Sequence, residues 1–276
     1  MSRKSMVAFF PFVLVTIVPL IGCVGAPGDE EGDVGHAAQP INILNSLDPA
    51  ALTAGGDFAK APLSVDAMLP GARAAIEGAS EQGRLARLFL QYAVGCALGR
   101  GQEVAFSWTG LDGAVHDEVF PGDVGLAPSW REAPLDEVGQ QWVSACIGAR
   151  TNRYKQQVMI SMRGSEEALA VRDDAELHRF TYEEGAFWGN LFLAQPYLRT
   201  CYEPKNVERA VAAMRDCAAG LRGQGDEGCG IMEIMGPCAD QCEPLGADLF
   251  HPGCAAPESG VPSAGKTEYV ITVFLP

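Results

Sequence analysis

The sequence has few basic residues, few histidines and no apolar stretch long enough to span a membrane. Its 276 residues include 20 lysines and arginines, 35 aspartates and glutamates and 4 histidines, for a net charge of −15. A chain this acidic repels phosphate backbones, so nucleic acid is not expected as a partner. The apolar stretch at residues 7–20 is shorter than the roughly 20 residues of a spanning helix, and it contains Pro11 and Pro19. We therefore predict neither a nucleic-acid-binding protein nor a transmembrane helix here.

The familiar catalytic motifs are also missing. Neither the nucleophile elbow G-x-S-x-G nor the zinc motif H-E-x-x-H occurs. His116, His178 and His251 have no catalytic partner nearby in the sequence, and residues 116–118 (HDE) fit a solvated hairpin end better than a metal or base site. The adjacent acidic pairs 183–184 and 173–174 would face opposite sides of a strand, which does not suit paired-carboxylate chemistry. No catalytic residue is predicted.

Residues 260–267 satisfy the phosphate-binding loop pattern G-x-x-x-x-G-K-[ST] letter for letter. That chemistry needs a strand before the loop and a helix after it, so that backbone amides cradle the phosphates. Here a loop rich in Pro, Ser and Gly precedes the pattern, and an apolar β-branched stretch follows it. We predict no nucleotide binding and no cofactor.

The first 23 residues have the organisation of a secretory signal peptide. Arg3 and Lys4 form a positive head, the apolar stretch follows, and it closes on Leu20-Ile21-Gly22-Cys23. This tetrapeptide resembles the lipobox of bacterial lipoproteins. The resemblance implies that residues 1–22 are removed, that the Cys23 thiol and the new amino terminus are acylated, and that this lipid is the only membrane anchor.

The same resemblance implies a location. In some lipoproteins an Asp directly after the acylated Cys retains the product at the inner membrane, and here that position is Val24. We therefore expect the bacterial cell envelope, with the outer membrane favoured. Loss of residues 1–22 removes two basic and no acidic residues, so the mature chain of 254 residues has a net charge of −17.

Three further segments follow. Residues 23–40 are mostly Gly, Ala, Pro and acid, a composition that predicts a flexible tether. Residues 41–79 carry scattered apolar positions and predict a surface arm with a short helix. Residues 80–276 predict a cysteine-rich domain, in which residues 201–254 hold six of the cysteines. This dense region is either a subdomain or, as we favour, an extension of the main core.

The cysteine count supports the anchor. With Cys23 acylated, eight of the nine cysteines remain, an even number that predicts four disulfides in an exported protein. The C-terminal cysteines, together with His251 and nearby methionines, could also form a metal site. Disulfides are favoured over that site, because only Cys238 and Cys242 have the close spacing of zinc ligands. The eight are Cys96, Cys146, Cys201, Cys217, Cys229, Cys238, Cys242 and Cys254.

Hydrophobic periodicity predicts an α+β fold, with a few helices packed on a mixed or antiparallel sheet. Helices are predicted at residues 80–99, 134–147 and 206–221. Strands are predicted at 104–108 and 115–120, which form a hairpin, and at 157–162, 181–193 and 269–275. Cys96 and Cys146 each lie on the inward stripe of a helix, so their disulfide is the preferred long-range pairing.

These observations favour a structural or binding role at the envelope, with a protein or glycan partner. Trp108, Trp142 and Trp188 lie in apolar patterns and are expected in the core, and Trp130 is the tryptophan to test for exposure. The alternative is an exported hydrolase with dispersed site residues, which would hold His116 or His178 against a carboxylate in a polar cleft. The chain also resembles uncharacterised cysteine-rich envelope lipoproteins, a likeness that implies location only.

Overall fold

The longest helix shows how the local sequence dictates the fold. Helix α2 spans Glu81–Ala97, and the Ser80 hydroxyl accepts a hydrogen bond from the Gly83 amide at its start. On its apolar stripe Phe89 and Cys96 are completely buried, and Leu85 and Leu88 are partly buried. The helix predicted at residues 80–99 is therefore confirmed.

A computed structural model describes residues 46–171, 173–217, 227–256 and 265–276. These residues all belong to one compact unit, residues 38–276. The signal peptide at 1–22, the acylation site Cys23 and the tether at 23–40 lie outside the described residues. Within the described ranges, no helix has both the length and the apolarity needed to cross a bilayer.

The fold is α+β, as predicted. The helices are α1 (Pro70–Glu77), α2, α3 (Glu137–Ala149), α4 (Asp174–Arg179), α5 (Val207–Ala212) and α6 (Cys238–Gln241). The strands are β1 (Glu103–Thr109), β2 (Val115–Pro121), β3 (Ser161–Arg163), β4 (Tyr182–Asn190), β5 (Tyr197–Tyr202), β6 (Met232–Pro237), β7 (Cys254–Ala255), β8 (Lys266–Thr267) and β9 (Ile271–Leu275). Short 3₁₀ turns, such as Pro49–Ala54, join several of these elements.

A mixed five-stranded sheet of order β3-β9-β4-β5-β6 forms the centre. Neighbouring strands are antiparallel except β5 and β6, which run parallel. The last strand, β9, lies between β3 and β4, and both β5 and β6 belong to the same sheet. The cysteine-dense region is therefore an extension of the main fold, as we favoured, because its strands complete the central sheet.

The sheet separates two hydrophobic clusters. Phe187 of β4 belongs to the larger cluster, together with residues of α2 and α3. Its neighbour Trp188 belongs to a smaller cluster, which also contains Cys201, Cys238 and Cys254. Alternation along β4 therefore packs one face against the helices and the other against the cysteine-rich segment.

All eight cysteines pair. The disulfide predicted between Cys96 and Cys146 joins α2 to α3, with its Cα atoms 5.9 Å apart. Such a link across 50 residues stabilises a fold by about 4 kcal/mol in the chain-entropy model. The other three disulfides are Cys201–Cys238, Cys217–Cys229 and Cys242–Cys254.

The segment expected to be a surface arm contributes to the core instead. Within its described part, Leu47, Leu52 and Ile76 are fully buried in the larger cluster. Leu47 also exchanges backbone hydrogen bonds with the residues after α3. Leu52 and Phe58 of this segment lie on short 3₁₀ turns, which have no repeat long enough to produce a periodic pattern, and Ile76 lies on the short helix α1.

Two elements are shorter than predicted. Helix α5 ends at Ala212 rather than near residue 221, because Met214 adopts a left-handed φ of 58° and Arg215 turns towards the sheet. Residues 218–221 of that prediction lie outside the described ranges. The strand predicted at 157–162 is β3, which occupies only Ser161–Arg163.

Candidate functional site

His116 and His178, the two histidines that the hydrolase alternative requires, are both exposed. His116 is exposed on β2, and its ring stacks on Trp108 with the ring centroids 4.3 Å apart. His178 lies exposed on α4, and its Nδ1 is 2.6 Å from the Asp174 carbonyl oxygen. In the described residues, neither imidazole hydrogen-bonds a carboxylate, so the cleft expected of a hydrolase is not formed around them.

Trp130, the tryptophan singled out as a candidate for exposure, is not exposed. Its side chain is completely buried, its indole Nε1 donates to the Ala61 carbonyl at 3.1 Å, and its ring meets Phe192 edge to face. Trp130 is buried because the segment before α1 folds into the core and covers it. Trp108 is instead the partly exposed tryptophan, and the Arg87 guanidinium lies 3.6 Å from its ring centroid. The aromatic residues of 181–193 are also buried, apart from Tyr182.

Glu183 and Glu184 face opposite sides of β4, as predicted. Glu184 forms a buried bidentate ion pair with Arg215, with both nitrogen–oxygen distances at 2.8 Å. The remaining Arg215 donors bind the Ala149 and Thr151 carbonyls. Every guanidinium nitrogen is thus engaged, and the pair fixes the segment after α5 to the sheet.

Glu183 forms the second buried ion pair, with His251. The imidazole Nε2 lies 2.8 Å from Glu183 Oε1, and Nδ1 lies 2.5 Å from the Glu243 carbonyl oxygen. Burial alone would lower the pKa of His251, but the Glu183 carboxylate and the Glu243 carbonyl outweigh burial and raise it. Both ring nitrogens are therefore engaged, as donors in the charged form, and the imidazole is not placed to act as a free base.

The metal site weighed in the sequence has a partial counterpart here. Ligand atoms of Glu183, Cys238 and His251 lie within 4.8 Å of one another. The Cys238 sulfur, however, is bonded to Cys201, and a disulfide sulfur is a poor ligand compared with a thiolate. The oxidised protein therefore offers this cluster as a structural contact.

The His251 ion pair anchors a loop that carries one wall of a groove. The Cys242–Cys254 disulfide closes this loop, and the His251 amide donates to the Thr272 hydroxyl of β9 at 2.9 Å. Leu249 has a left-handed φ of 57°, which turns the loop between its two anchors. The disulfide and the ion pair together hold residues 247–250 against the opposite wall.

The opposite wall runs from the end of β3 into α4. Gly164 lies at its start, where a Cβ would lie 2.8 Å from Leu169 Cδ1 and 3.0 Å from the Val270 carbonyl oxygen and would crowd both. The Asp173 carboxylate caps α4, and the Glu176 carboxylate accepts from the Ser161 hydroxyl at 2.6 Å. These contacts fix Leu177 on the groove side of α4.

We call this feature the acid-rimmed groove, and its volume is about 450 Å³. Small-molecule sites in proteins span roughly 300–1,000 Å³. Leu169 is buried in the groove, Glu166 and Leu177 are half-buried, and Asp248 and Leu249 are exposed, so apolar and acidic side chains share its surface. The lining residues are Gly164, Ser165, Glu166, Glu167, Leu169, Ala170, Val171, Leu177, Ala247, Asp248, Leu249 and Phe250.

The charged side chains among the described lining residues of the groove are all acidic. Glu166, Glu167 and Asp248 line it, and no lysine or arginine is among its described lining residues. Within those parts of the chain that the structure describes, neither Glu166 nor Asp248 forms an ion pair. An apolar pocket with carboxylates of this kind suits a ligand that combines an apolar body with a positive charge.

The phosphate-loop pattern has no helix after it. Lys266 and Thr267 form β8, which pairs with β7, and Lys266 Nζ lies 2.8 Å from Glu243 Oε1. Residues 260–264 of the pattern lie outside the described ranges.

No protein-family model, curated protein or solved structure matches this chain.

Proposed function

We propose that this protein is a lipid-anchored envelope protein whose domain binds small organic cations in the acid-rimmed groove. The observation that carries the proposal is that Glu166 and Asp248 line the groove together with apolar side chains, with no lysine or arginine among the described lining residues. The ligand class is an amine with a compact apolar body, which would place its ammonium at the rim.

Simple electrostatics supports this choice of ligand. Two unit charges 4 Å apart interact by about 1 kcal/mol in bulk water and by about 4 kcal/mol at the lower effective dielectric of a protein surface. Glu166 is half-buried and therefore less screened than an exposed acid. A cation bound beside it would gain more than the same cation bound elsewhere on this acidic chain.

The envelope location rests on the sequence. The lipobox ending at Cys23 and the even number of remaining cysteines both favour export. A tether of residues 23–40 would let the domain sample the space beside the membrane. A binding domain held there would collect small solutes that cross the envelope.

The buried Glu183–His251 pair counts against the alternative of an exported hydrolase. Both imidazole nitrogens are within hydrogen-bonding distance of protein oxygens, and the ring is buried. A general base needs an open position towards substrate. The groove is therefore the better guide to function.

Titration calorimetry on the mature protein, purified in detergent, tests the ligand class. We expect 2-phenylethylammonium to bind and its uncharged counterpart 2-phenylethanol to bind at least about tenfold more weakly, since one lost charge contact is worth about 1.4 kcal/mol or more. The anion 3-phenylpropanoate should not bind. Equal affinity for the three ligands would contradict the proposal.

Variants locate the binding. Glu166→Gln and Asp248→Asn should each weaken 2-phenylethylammonium binding by about tenfold, and high salt should have the same effect. Glu132→Gln is the matched control, because Glu132 is an exposed acid outside the groove. An equal loss in the control would mean that only the overall charge of the chain attracts the ligand.

The anchor needs a separate measurement. The intact mass of the protein from native membranes should correspond to a chain that begins at Cys23 with added acyl groups. Reduction should add about eight hydrogens, two for each of four disulfides. An unacylated chain would refute the anchor and leave the ligand-binding proposal to be judged on its own titrations.

A further inference from the structure

Two disulfides of the cysteine-rich segment lie in contact with each other. Cys201–Cys238 joins β5 to α6, and Cys242–Cys254 closes the groove loop. The sulfurs of Cys201 and Cys242 belong to different disulfides, yet they are only 3.6 Å apart. Cys242 is partly exposed, whereas the other three cysteines are buried.

This geometry points to a thiol–disulfide exchange site, in which Cys242 is the nucleophile and the Cys201–Cys238 bond is its internal target. The exchange starts when an external reductant, a thiol or a phosphine, opens Cys242–Cys254. It ends with a Cys201–Cys242 disulfide and with thiols on Cys238 and Cys254. The inference does not depend on what the groove binds.

Each step balances. A phosphine takes one oxygen atom from water and leaves thiols on Cys242 and Cys254. The Cys242 thiolate then attacks the Cys201 sulfur, so that the Cys201–Cys242 bond forms and the Cys201–Cys238 bond breaks. The bonding pair of electrons leaves with Cys238. No net oxidation accompanies this second step, because one disulfide replaces another.

The leaving sulfur has a cation beside it. Ligand atoms of Cys238, His251 and Glu183 lie within 4.8 Å of one another. The charged His251 ring keeps its two N–H donors on Glu183 and on the Glu243 carbonyl, and its positive charge offsets the charge of the Cys238 thiolate as that thiolate leaves. A leaving thiol that is stabilised in this way leaves faster. His251 thus acts as a positioning residue whose charge assists the exchange.

The charged groups around His251 define the expected pH dependence. Glu183 faces it from β4, Glu203 acts from the end of β5, and Glu243 contributes its carbonyl from the loop itself. The rate should rise with pH as Cys242 loses its proton and fall at higher pH as His251 loses its own. A bell-shaped profile is the expected signature.

Limited reduction of the wild-type protein tests the exchange. A substoichiometric phosphine is added, samples are trapped with N-ethylmaleimide at successive times, and the peptides are mapped without reduction. Early samples should carry the label on Cys242 and Cys254, and later samples on Cys238 and Cys254 with a new Cys201–Cys242 disulfide. Label that stays on Cys242 at all times would overturn the inference.

Two serine variants give an independent test. Cys254→Ser leaves Cys242 without its partner, and its disulfide map should contain Cys201–Cys242 and a labelled Cys238. The matched variant Cys242→Ser should keep Cys201–Cys238 and label only Cys254. If both variants keep Cys201–Cys238 intact, the exchange does not occur.

The role of His251 has its own readout. His251→Gln should remove the falling limb of the pH profile and slow the exchange by about tenfold near neutral pH, as expected when the leaving thiolate loses one nearby positive charge. The control is His178→Gln, because His178 is exposed on α4. A uniform slowing at every pH would show that His251 only supports the structure.

Discussion

The two halves of this domain hold their cores together by different means. Helices α2 and α3 bury large apolar side chains such as Phe89 and Trp142, and a single disulfide joins them. The cysteine-rich half has short elements and three disulfides within residues 201–254. In its hydrophobic cluster, three of the six buried members are cysteines.

The two faces of the central sheet are therefore stabilised in different ways. The helical face has enough apolar area to pack on its own, so its disulfide reinforces an existing core. The opposite face has too little apolar area for that, and covalent links and the buried Glu183–His251 ion pair take its place. We therefore expect the second face to be the one whose structure responds to reductants and to pH.

Removal of single disulfides should give the largest effects on stability. Cys96→Ala with Cys146→Ala opens a loop of 50 residues and should lower the free energy of unfolding by about 4 kcal/mol. Cys242→Ala with Cys254→Ala opens a loop of 12 residues and should lower it by about 3 kcal/mol. Denaturant unfolding measures both, and a larger loss in the second pair would contradict the chain-entropy account.

Ligand binding should also distinguish these two double variants. Only the second disulfide closes the loop that carries groove residues 247–250. Its removal should weaken 2-phenylethylammonium binding, whereas removal of Cys96–Cys146 should leave the affinity unchanged.

Loss of the buried Glu184–Arg215 ion pair should have the next largest effect. Glu184→Gln leaves the Arg215 charge uncompensated in the interior, where both side chains are essentially inaccessible. We expect a loss of about 3 kcal/mol, the usual size for breaking a buried pair. Glu233→Gln is the control, since its pair with Arg199 is about half exposed on the Glu side and should cost less than about 1 kcal/mol.

The local elements of this fold could be predicted from sequence, because they follow a regular hydrophobic period. Helix α2, helix α3 and the β1–β2 hairpin appear where the pattern places them. The inward positions of Cys96 and Cys146 even identify their disulfide. The burial of the residues before α1 could not be predicted, because their short turns have no hydrophobic period and their contacts are with residues distant in sequence. Helix α5 was overestimated because Arg215 is drawn to Glu184, a tertiary contact with no local signal.

The groove could not be predicted, because its two walls come from distant parts of the chain. Residues 164–171 and 247–250 meet only through the sheet and the Cys242–Cys254 loop. The partner of His251 is Glu183, which is 68 residues away. One signal did exist in the sequence, namely two adjacent acids, Glu183 and Glu184, on a buried strand. Because a buried carboxylate needs a partner, each acid required a cation on the face of the sheet towards which it points. The cations themselves, His251 and Arg215, could be identified only in three dimensions.

The smallest expected effect concerns the pH dependence of the cysteine-rich half. Because the pKa of His251 is raised above its usual 6.5 in the folded state, its ion pair with Glu183 contributes fully below that value. The contribution is lost as the pH rises through the folded pKa, since the native state then binds more protons than the unfolded chain. Unfolding of the wild type and of His251→Gln should therefore differ most at mildly acidic pH and converge in alkaline solution. His178→Gln should show no such convergence, and a gap that widens with rising pH would reverse the assignment of His251 as a buried cation.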